Sequence, residues 1–414
     1  TFLLGGCGNV NVPATCNTNQ IIKWNGDAWA CADAIPLCEF GQAMTGNGFG
    51  GIQCSLPANV ITTVDNSAAV GSYSAIAVSA LDGFPVIAYF DSTNGDLKVL
   101  RCSNSACTGS VTINTVDSTG IVGASPAIIL SSSGLPRISY YDGTNGDLKV
   151  AYCTNASCSG STLYTVDSAG IVGQGSSIAI GSSGNITISY RDVSNSTVKI
   201  ARCAASNCST PAITTVDAAA SSYETTSVVL SASGNPIIAY VYTPLAVNNI
   251  RVAVCSDPAC SSAPTFSGFT TSNSLDQVSL ALSPAGIPTF SFHDVTNGDL
   301  RVTACFSTIC DSGTITTTPD VTGVVGLYSS IAVAPDGRPV VAYLDATNGD
   351  LKVLKCGNSQ CNFKNRVSTV DSTGIVGSRP SLVLPKDGLP IISYYDATNS
   401  ALKVVKCANE ACAP

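Results

Sequence analysis

Residues 74–117 contain four short β-type segments separated by turn residues: S-A-I-A-V-S (74–79), P-V-I-A-Y-F-D (85–91), L-K-V-L-R-C (97–102) and V-T-I-N-T-V-D (111–117). The stretches L-D-G-F and S-T-N-G-D, which separate the first three segments, have the length and composition of hairpin loops. Four strands joined in this way are typical of one blade of a β-propeller, whereas a solenoid coil would need fewer strands.

The same unit recurs along the chain, and a Cys-x4-Cys pair marks each recurrence. Successive first cysteines lie 50 to 52 residues apart, and no helical pattern lies between them. A period near fifty residues indicates a propeller or a solenoid, and the four-strand unit favours the propeller. We expect each pair to form a disulfide that closes the loop between strands c and d of its own blade, at Cys102/Cys107, Cys153/Cys158, Cys203/Cys208, Cys255/Cys260, Cys305/Cys310, Cys356/Cys361 and Cys407/Cys412.

The two ends of the repeat array complement each other. Only Ala413 and Pro414 follow Cys412, so the seventh unit lacks a fourth strand, while N-V-I-T-T-V-D (59–65) reads as a fourth strand with no blade before it. Pairing the two would remove two bare sheet edges. The sequence therefore predicts an all-β protein: a seven-bladed β-propeller of four-stranded blades over 59–414, closed by the N-terminal strand, after a Cys-rich segment at 1–58.

The composition of the chain indicates its cellular compartment and the classes of partner that it could bind. The formal net charge of −8 argues against a nucleic-acid partner, since the chain has no run of Lys and Arg to bind phosphates. No apolar stretch is long enough to cross a bilayer. Nineteen cysteines indicate an oxidising compartment, and a single histidine argues against zinc. We expect an extracellular or cell-surface protein without a cofactor.

The run T-V-D-S-T-G-I-V-G (115–123), with the G-L-P-R-I-S-Y-Y-D and G-D-L-K-V that follow it, resembles a repeat of secreted bacterial β-propeller proteins. The resemblance covers 59–412 and implies the propeller fold; because most such proteins are uncharacterised, it implies no activity. Separately, Q-I-I-K-W-N-G-D-A-W-A-C-A-D (20–33) resembles segments of bacterial and phage surface-fibre proteins, and its Asn-Gly predicts a hairpin.

Charged residues recur at fixed positions of the repeat. Strand c opens with a basic residue at Lys98, Lys149, Lys199, Arg251, Arg301, Lys352 and Lys403. Strand b ends at Asp91, Asp142, Asp192, Asp294, Asp345 and Asp396. Strand d ends at Asp65, Asp117, Asp167, Asp217, Asp320 and Asp371. Within one antiparallel sheet these ends lie side by side, which predicts an Asp–basic–Asp ladder in each blade except the fourth. A calcium loop at D-S-T-N-G-D (91–96) is the alternative, but the lysine already supplies the positive charge.

The residue before each strand-b Asp varies between blades, which favours a surface position that tolerates any residue and also allows one asymmetric pocket, near Arg191 and His293. The chain has three glutamates, of which only Glu224 is a plausible catalytic acid, and it lacks nucleophile and metalloprotease motifs. The sequence therefore predicts a protein that is not an enzyme, with a glycoside hydrolase centred on Glu224 as a minor alternative.

The N-terminal segment suggests assembly. It contains five cysteines, an odd number, and it opens with an apolar run. We expect these residues to pack on a neighbouring subunit or on their own domain; the assembly residues would be Phe2, Leu3, Leu4 and Cys7. The leading hypothesis is an extracellular structural or adhesive protein, forming filaments through head-to-tail contacts. The alternative is a secreted glycan-binding propeller that uses aromatics such as Tyr141 or Tyr395.

Overall fold

A computed structural model describes residues 20–24, 29–33, 43–46, 52–55, 58–218, 225–242, 249–269 and 275–413. The chain divides into two compact units, Thr1–Ala58 and Asn59–Pro414. In the first unit the described strands are β1 (Gln20–Trp24), β2 (Trp29–Asp33), β3 (Ala43–Gly46) and β4 (Ile52–Ser55). β1 pairs with β2 and β3 with β4, both antiparallel, and the first pair agrees with the predicted hairpin.

The second unit consists of seven four-stranded antiparallel sheets, which confirms the predicted seven-bladed propeller. The first blade contains β6 (Val70–Val78), β7 (Pro85–Asp91), β8 (Asp96–Cys102) and β9 (Val111–Asp117). The second contains β10 (Val122–Leu130), β11 (Pro136–Asp142), β12 (Asp147–Cys153) and β13 (Ser161–Asp167). The third contains β14 (Val172–Ile180), β15 (Ile186–Asp192), β16 (Thr197–Cys203) and β17 (Ala212–Asp217).

The remaining blades follow the same order from the axis outward. The fourth contains β18 (Thr226–Leu230), β19 (Pro236–Tyr242), β20 (Asn249–Val254) and β21 (Thr265–Phe269). The fifth contains β22 (Leu275–Leu282), β23 (Pro288–Asp294), β24 (Asp299–Cys305) and β25 (Thr314–Asp320). The sixth contains β26 (Val325–Val333), β27 (Pro339–Asp345), β28 (Asp350–Lys355) and β29 (Arg366–Asp371). The seventh contains β30 (Ser378–Val383), β31 (Ile391–Asp396), β32 (Ala401–Lys406) and β5 (Val60–Asp65).

The N-terminal strand closes the ring as predicted. β5 pairs antiparallel with β32, so that Leu402 faces Asp65 and Lys406 faces Val60. Asn59 reinforces the joint, because its side chain donates to the carbonyl of Cys412 (2.7 Å) and accepts from the amide of Ala408 (2.9 Å). The last blade therefore exposes no more strand edge than the other six.

The core lies between neighbouring blades. One cluster packs Val86 and Leu97 of the first blade against Ile138 and Tyr140 of the second. The blades approach closely where strand a begins: a Cβ on Gly123 would lie 2.7 Å from the Cα atom of Leu97, and the φ of Gly123 is +93°. A side chain at this position would therefore push two blades apart.

The seven predicted disulfides are all present, each within one blade. The pairs are Cys102–Cys107, Cys153–Cys158, Cys203–Cys208, Cys255–Cys260, Cys305–Cys310, Cys356–Cys361 and Cys407–Cys412. Each bond closes a turn at the start of the loop between strands c and d, in its own blade as predicted, and does not tie the two strands to each other. The first cysteine ends strand c or follows it directly, whereas the second lies in the loop that follows and belongs to no strand, at Cys107, Cys158, Cys208, Cys260, Cys310, Cys361 and Cys412.

The backbone at the second cysteine was also not predicted. In six of the seven loops this residue has a positive φ, between 48° and 57°, at Cys107, Cys158, Cys260, Cys310, Cys361 and Cys412. Cys208 of the third blade is not among these residues, although it is buried like the others. Only four residues separate the two cysteines, so the chain must turn back sharply to bring the second sulfur to the first. The disulfide therefore holds a tight turn at the end of strand c.

The disulfide loops also contact the preceding blade. Asn114 of β9 donates to the carbonyl of Ser157 at 2.8 Å, and Thr214 of β17 donates to the carbonyl of Ala259 at 2.9 Å. Each of these two carbonyls lies in a disulfide-closed loop, so the disulfide holds a short loop in a shape that can accept a hydrogen bond from the neighbouring blade.

Candidate functional site

The recurrent charged residues join neighbouring blades as well as the strands of a single blade. Lys149 on β12 contacts Asp142 of its own blade (Nζ to Oδ2, 3.9 Å) but lies closer to Asp117, which ends β9 of the preceding blade (2.5 Å). Lys199 likewise contacts Asp192 (2.7 Å) and Asp167 of the preceding blade (3.3 Å). The predicted ladder within one blade is therefore wrong about the strand-d partner.

A shift in strand register explains the difference. In the second blade Lys149 is paired with Thr165, whereas Asp167 faces Leu148 across a bulge. Neighbouring residues on a strand point to opposite faces, so Asp167 and Lys149 leave the sheet on different sides. Each strand-d carboxylate is thereby directed to the next blade.

A buried tyrosine, not predicted from the sequence, completes the contact. Tyr140, two residues before Asp142, donates its hydroxyl to Oδ2 of Asp117 at 2.8 Å, and Tyr140 has no exposed surface. Six blades repeat the arrangement, in the pairs Tyr89–Asp65, Tyr140–Asp117, Tyr190–Asp167, Tyr240–Asp217, Tyr343–Asp320 and Tyr394–Asp371. We call this set, the strand-b Tyr and strand-c basic residue of one blade with the strand-d Asp of the preceding blade, the inter-blade latch.

The joint between the fourth and fifth blades shows that the latch is one unit. By strand register, Phe269 occupies the position of the missing strand-d Asp, since it faces Ile250 as Asp117 faces Leu97. The facing blade has Phe292 where the others have tyrosine. Carboxylate and hydroxyl are thus lost together, and Arg301 instead contacts Asp294 of its own blade (2.6 Å). The Phe292 substitution is the sequence signal that could have revealed the latch.

The pKa values of the carboxylates reflect these contacts. Burial by itself raises the pKa of Asp117, but hydrogen bonds from Lys149 and Tyr140 outweigh it and lower the pKa below its ordinary value. Burial and the neighbouring carboxylate raise the pKa of the Tyr140 hydroxyl, which therefore stays protonated and donates. Asp91, at the end of β7, also has a lowered pKa, because hydrogen bonds from Lys98 and Asn94 outweigh its burial.

The turns proposed as calcium loops are filled by protein donors. Oδ1 of Asp91 accepts the amides of Thr93 and Asn94 (both 3.1 Å), and Oδ2 accepts the Asn94 side chain (2.8 Å) and lies 2.6 Å from Nζ of Lys98. Among the described residues, no group of three or more His, Cys, Asp or Glu side chains could hold a metal ion. The geometry here is that of an Asx turn held by a lysine.

The central channel is lined by the first strand of every blade. Serine, threonine and proline side chains form most of its wall, around a cavity of about 270 Å³. The channel widens into a second cavity of about 480 Å³, which we call the channel mouth; it is lined by Tyr73, Ala124, Ser125, Tyr141, Gln174, Gly175, Arg191, Thr225 and Arg379. Because Tyr141 and Arg191 each precede a strand-b Asp, the mouth opens on the face that bears the Asx turns.

The predicted asymmetric pocket is therefore partly right. Arg191 lies in the channel mouth, as does Tyr141. His293 does not line the mouth: it is buried in the fifth blade, where Nδ1 lies 3.1 Å from Oδ1 of Asp276. Tyr395 does not line either cavity.

Arg379 forms the most distinctive contact at the mouth. Its guanidinium carbon lies 4.0 Å from the ring centre of Tyr73 and 4.5 Å from that of Tyr328, so residues of the seventh, first and sixth blades meet there. Contacts of this kind hold the positive charge over the ring faces and need none of the guanidinium N–H donors as hydrogen-bond partners. Sequence reasoning missed Arg379, because no single residue type is kept at its position in the seven blades.

The backbone at this position is strained. Ser125, Gln277, Tyr328 and Arg379 have φ values of 48°, 49°, 56° and 49°, in the left-handed region. The corresponding position of the third blade is Gly175 (φ 59°), the residue that adopts this conformation without cost. A non-glycine residue loses about 1–2 kcal/mol here. The seventh blade thus keeps an arginine at the channel mouth where a glycine would be more stable.

Other predicted residues lie outside the described residues. They are Glu224, proposed as a catalytic acid, and the assembly residues Phe2, Leu3, Leu4 and Cys7. Assembly through the N-terminal segment stays a prediction.

Comparison with known proteins identifies the fold alone. No family model matches the chain, and no curated protein matches it. Among solved structures it is similar to an α-L-arabinanase of Penicillium chrysogenum (11% identity over 84% of this chain and 98% of that chain, TM-score 0.49). It is also similar to the polysaccharide lyase Uly1 (12% identity over 81% of this chain and 89% of that chain, TM-score 0.49). A third similar structure is a prolyl endopeptidase (13% identity over 83% of this chain and 48% of that chain, TM-score 0.49). This chain spans about half the length of the endopeptidase.

These structures contradict the expectation that the chain is not an enzyme. All three of the similar proteins named above are enzymes, as is a further similar structure, the NanB sialidase of Streptococcus pneumoniae. The absence of known catalytic motifs was therefore an insufficient reason to exclude catalysis. The similarity concerns the fold, and the individual activities belong to those proteins.

Proposed function

We propose that this chain is an extracellular carbohydrate-binding propeller whose binding site is the channel mouth. The observation that carries the proposal is Arg379, which lines the mouth together with Tyr73 and also contacts Tyr328 in the wall of the central channel. A sugar presents hydroxyl groups to polar side chains and C–H faces to aromatic rings, and tyrosine serves both needs. A volume of about 480 Å³ lies within the usual range of ligand sites.

The strained backbone supports the same site. Residues held in the left-handed region without being glycine cluster at functional sites, where the side chain is needed in one place. Four blades have such a residue at this position, and two of these residues, Tyr328 and Arg379, contact each other through their side chains. Glycine can adopt this backbone conformation, as Gly175 does in the third blade. The presence of Tyr328 and Arg379 therefore calls for a role of their side chains.

The proposed extracellular location of the protein is supported by its disulfides. Seven buried disulfides favour an oxidising compartment. Within the described ranges, no helix is long and apolar enough to cross a membrane. If the bound glycan belongs to a cell surface, the same site gives the protein an adhesive role.

Binding to a glycan array tests the proposal, with chromatography of the supernatant to detect cleavage. We expect Tyr73→Ala to weaken binding about tenfold or more without lowering the melting temperature, since stacking and hydrogen bonds to a ring contribute at least about 1.4 kcal/mol. The matched control is Phe363→Ala, which removes an exposed ring from the loop that follows the sixth-blade disulfide. Equal binding by the two variants, or no glycan bound by the wild type, would refute the site.

A further inference from the structure

The charge of the ligand follows from the surroundings of Arg379. We infer, on the basis of the proposed function, that the sugar bound at the channel mouth carries a carboxylate and that Arg379 binds this group. The inference adds a class of ligand, acidic sugars such as uronic acids, to the proposed carbohydrate site.

Four arginines of the propeller are paired with aspartates, whereas Arg379 is in contact with aromatic rings. Arg101, Arg251, Arg301 and Arg338 each form an ion pair with an aspartate. In the part of the chain that the structure describes, no carboxylate lies within ion-pair distance of Arg379, and its charge is in contact with two aromatic rings instead. The rings restrict the guanidinium and leave its planar edge of N–H donors, which matches the two oxygens of a carboxylate.

The net negative charge of the protein means that an acidic sugar needs a local positive charge in order to bind. A formal net charge of −8 repels polyanions at long range. The lysines on the same face, such as Lys98, are engaged with aspartates at the ends of strand b. An acidic sugar that binds must therefore do so through a local cation, and the mouth supplies Arg379 at its rim, with Arg191 also lining the cavity. Attraction of this kind is specific to one site rather than spread over the surface.

The geometry favours carboxylates over sulfates. A guanidinium whose faces are in contact with rings binds best in its own plane, and a carboxylate is planar with two oxygens at the spacing of two N–H groups. A sulfate ester is tetrahedral and presents oxygens out of that plane. We therefore expect uronic acid oligosaccharides to bind more tightly than sulfated neutral ones.

Calorimetric titration of the full chain tests the inference. The probes are oligogalacturonate, oligoglucuronate, oligomannuronate and sialyllactose, each with its methyl-esterified form, together with dextran sulfate oligosaccharides. We expect at least one acid to bind about tenfold to a hundredfold more tightly than its ester, because a hydrogen bond to a charged group contributes that much. Arg379→Gln should remove this preference, and Arg379→Lys should keep part of it.

A matched variant controls for the general loss of one positive charge. Arg366→Gln changes an exposed arginine on β29, an outer strand, and should leave the preference for the acid unchanged. The inference is overturned if every ester binds as tightly as its acid, if sulfated dextran binds as tightly as the best acid, or if Arg366→Gln acts like Arg379→Gln. Neutral binding that still depends on Tyr73 would then leave the proposed function standing. If no probe binds, acidic or neutral, both fail.

Discussion

Replacing Tyr140 by phenylalanine removes one hydroxyl from the inter-blade latch and leaves the shape of the side chain unchanged. The hydroxyl donates to the ionised Asp117 at 2.8 Å, and both residues are buried. A hydrogen bond to a charged group contributes about 1.5–3 kcal/mol, so we expect the free energy of unfolding to fall by about this amount. Phe292 at the equivalent position shows that the fold accepts phenylalanine there without steric cost.

The opposite change in the fifth blade, from phenylalanine to tyrosine at position 292, should also lower the free energy of unfolding. Phe292→Tyr introduces a hydroxyl opposite a strand position at which Phe269 replaces the aspartate. A buried hydroxyl without an acceptor costs about 1–3 kcal/mol. If tyrosine were simply the better core residue, Phe292→Tyr would be neutral or stabilising, so the two variants together separate the latch from general packing.

Urea unfolding followed by far-ultraviolet circular dichroism measures both changes, with a double-mutant cycle between Tyr140→Phe and Asp117→Asn. The cost of Tyr140→Phe should fall below about 1 kcal/mol in the Asp117→Asn background, since the charge that strengthens the bond is gone. The control is Tyr395→Phe, which changes a half-buried tyrosine next to Tyr394 in the seventh blade. Its free energy of unfolding should lie within about 0.5 kcal/mol of the wild type. An additive cycle, or a Tyr140→Phe variant as stable as this control, would refute the reasoning.

The pH dependence of the same latch has a defined sign. The pKa of Asp117 is lowered in the folded protein from an ordinary value of 3.8. Its contribution to stability is therefore complete above that value and is lost as the pH falls through the lowered folded pKa. The difference in stability between the wild type and Asp117→Asn should accordingly be constant near neutral pH and shrink in acid.

Three further predictions concern the framework. Replacing Cys153 and Cys158 by alanine should lower the free energy of unfolding by about 2 kcal/mol from loop-closure entropy, measured in urea without reductant. Deleting 59–65 should leave an unpaired edge in the last blade and cause aggregation detectable by light scattering, whereas a truncation that ends just before this strand should stay monomeric if the propeller folds alone. Gly123→Ala should destabilise by several kcal/mol more than Gly83→Ala in thermal melts: both have positive φ, but a Cβ meets backbone at 2.7 Å only in the first case.

The fold was predictable because its evidence is local and repeated. Four short strands, tight turns and a cysteine pair recur seven times. The surplus strand at 59–65 and the missing fourth strand of the last unit then determine the number of blades and the way the ring closes. None of these signals required knowledge of contacts between blades.

The latch was only half predictable for the opposite reason. The sequence showed which residue types recur, but pairing rules apply within a sheet, and they assigned Asp167 to Lys149. A one-residue bulge between Leu148 and Lys149 sends the carboxylate to the next blade instead. The signal that could have corrected this assignment is the joint loss of a strand-d Asp and of the tyrosine at Phe292 in the blade that follows it.

The channel mouth was largely invisible in the sequence, because its contacts join residues far apart in the chain. Arg379 contacts Tyr73 only because the ring closes and brings the seventh blade beside the first. The left-handed backbone at Arg379 also leaves no mark in a single sequence, since a bend of this kind is normally recognised by glycine. Variation at the position before the strand-b Asp allowed a pocket near Arg191, which does line the mouth, although the same variation favoured a tolerant surface position.

Positions that join the blades keep the same residue type, whereas positions at the mouth vary from blade to blade. This difference indicates where a binding site could lie. Positions that hold blades together keep one residue type almost throughout, as the latch tyrosines do, and they depart from it only where the partner has changed as well, as at Phe292. At the bend of strand a, by contrast, Ser125, Gly175, Tyr328 and Arg379 share one backbone conformation and no side-chain chemistry. Because the scaffold needs only glycine at that bend, the choice of side chain there is free to serve a ligand. A propeller with a near-symmetric frame can in this way present an asymmetric site on its axis, and Arg379 with Tyr73 marks the side of the mouth at which we propose that an acidic sugar binds.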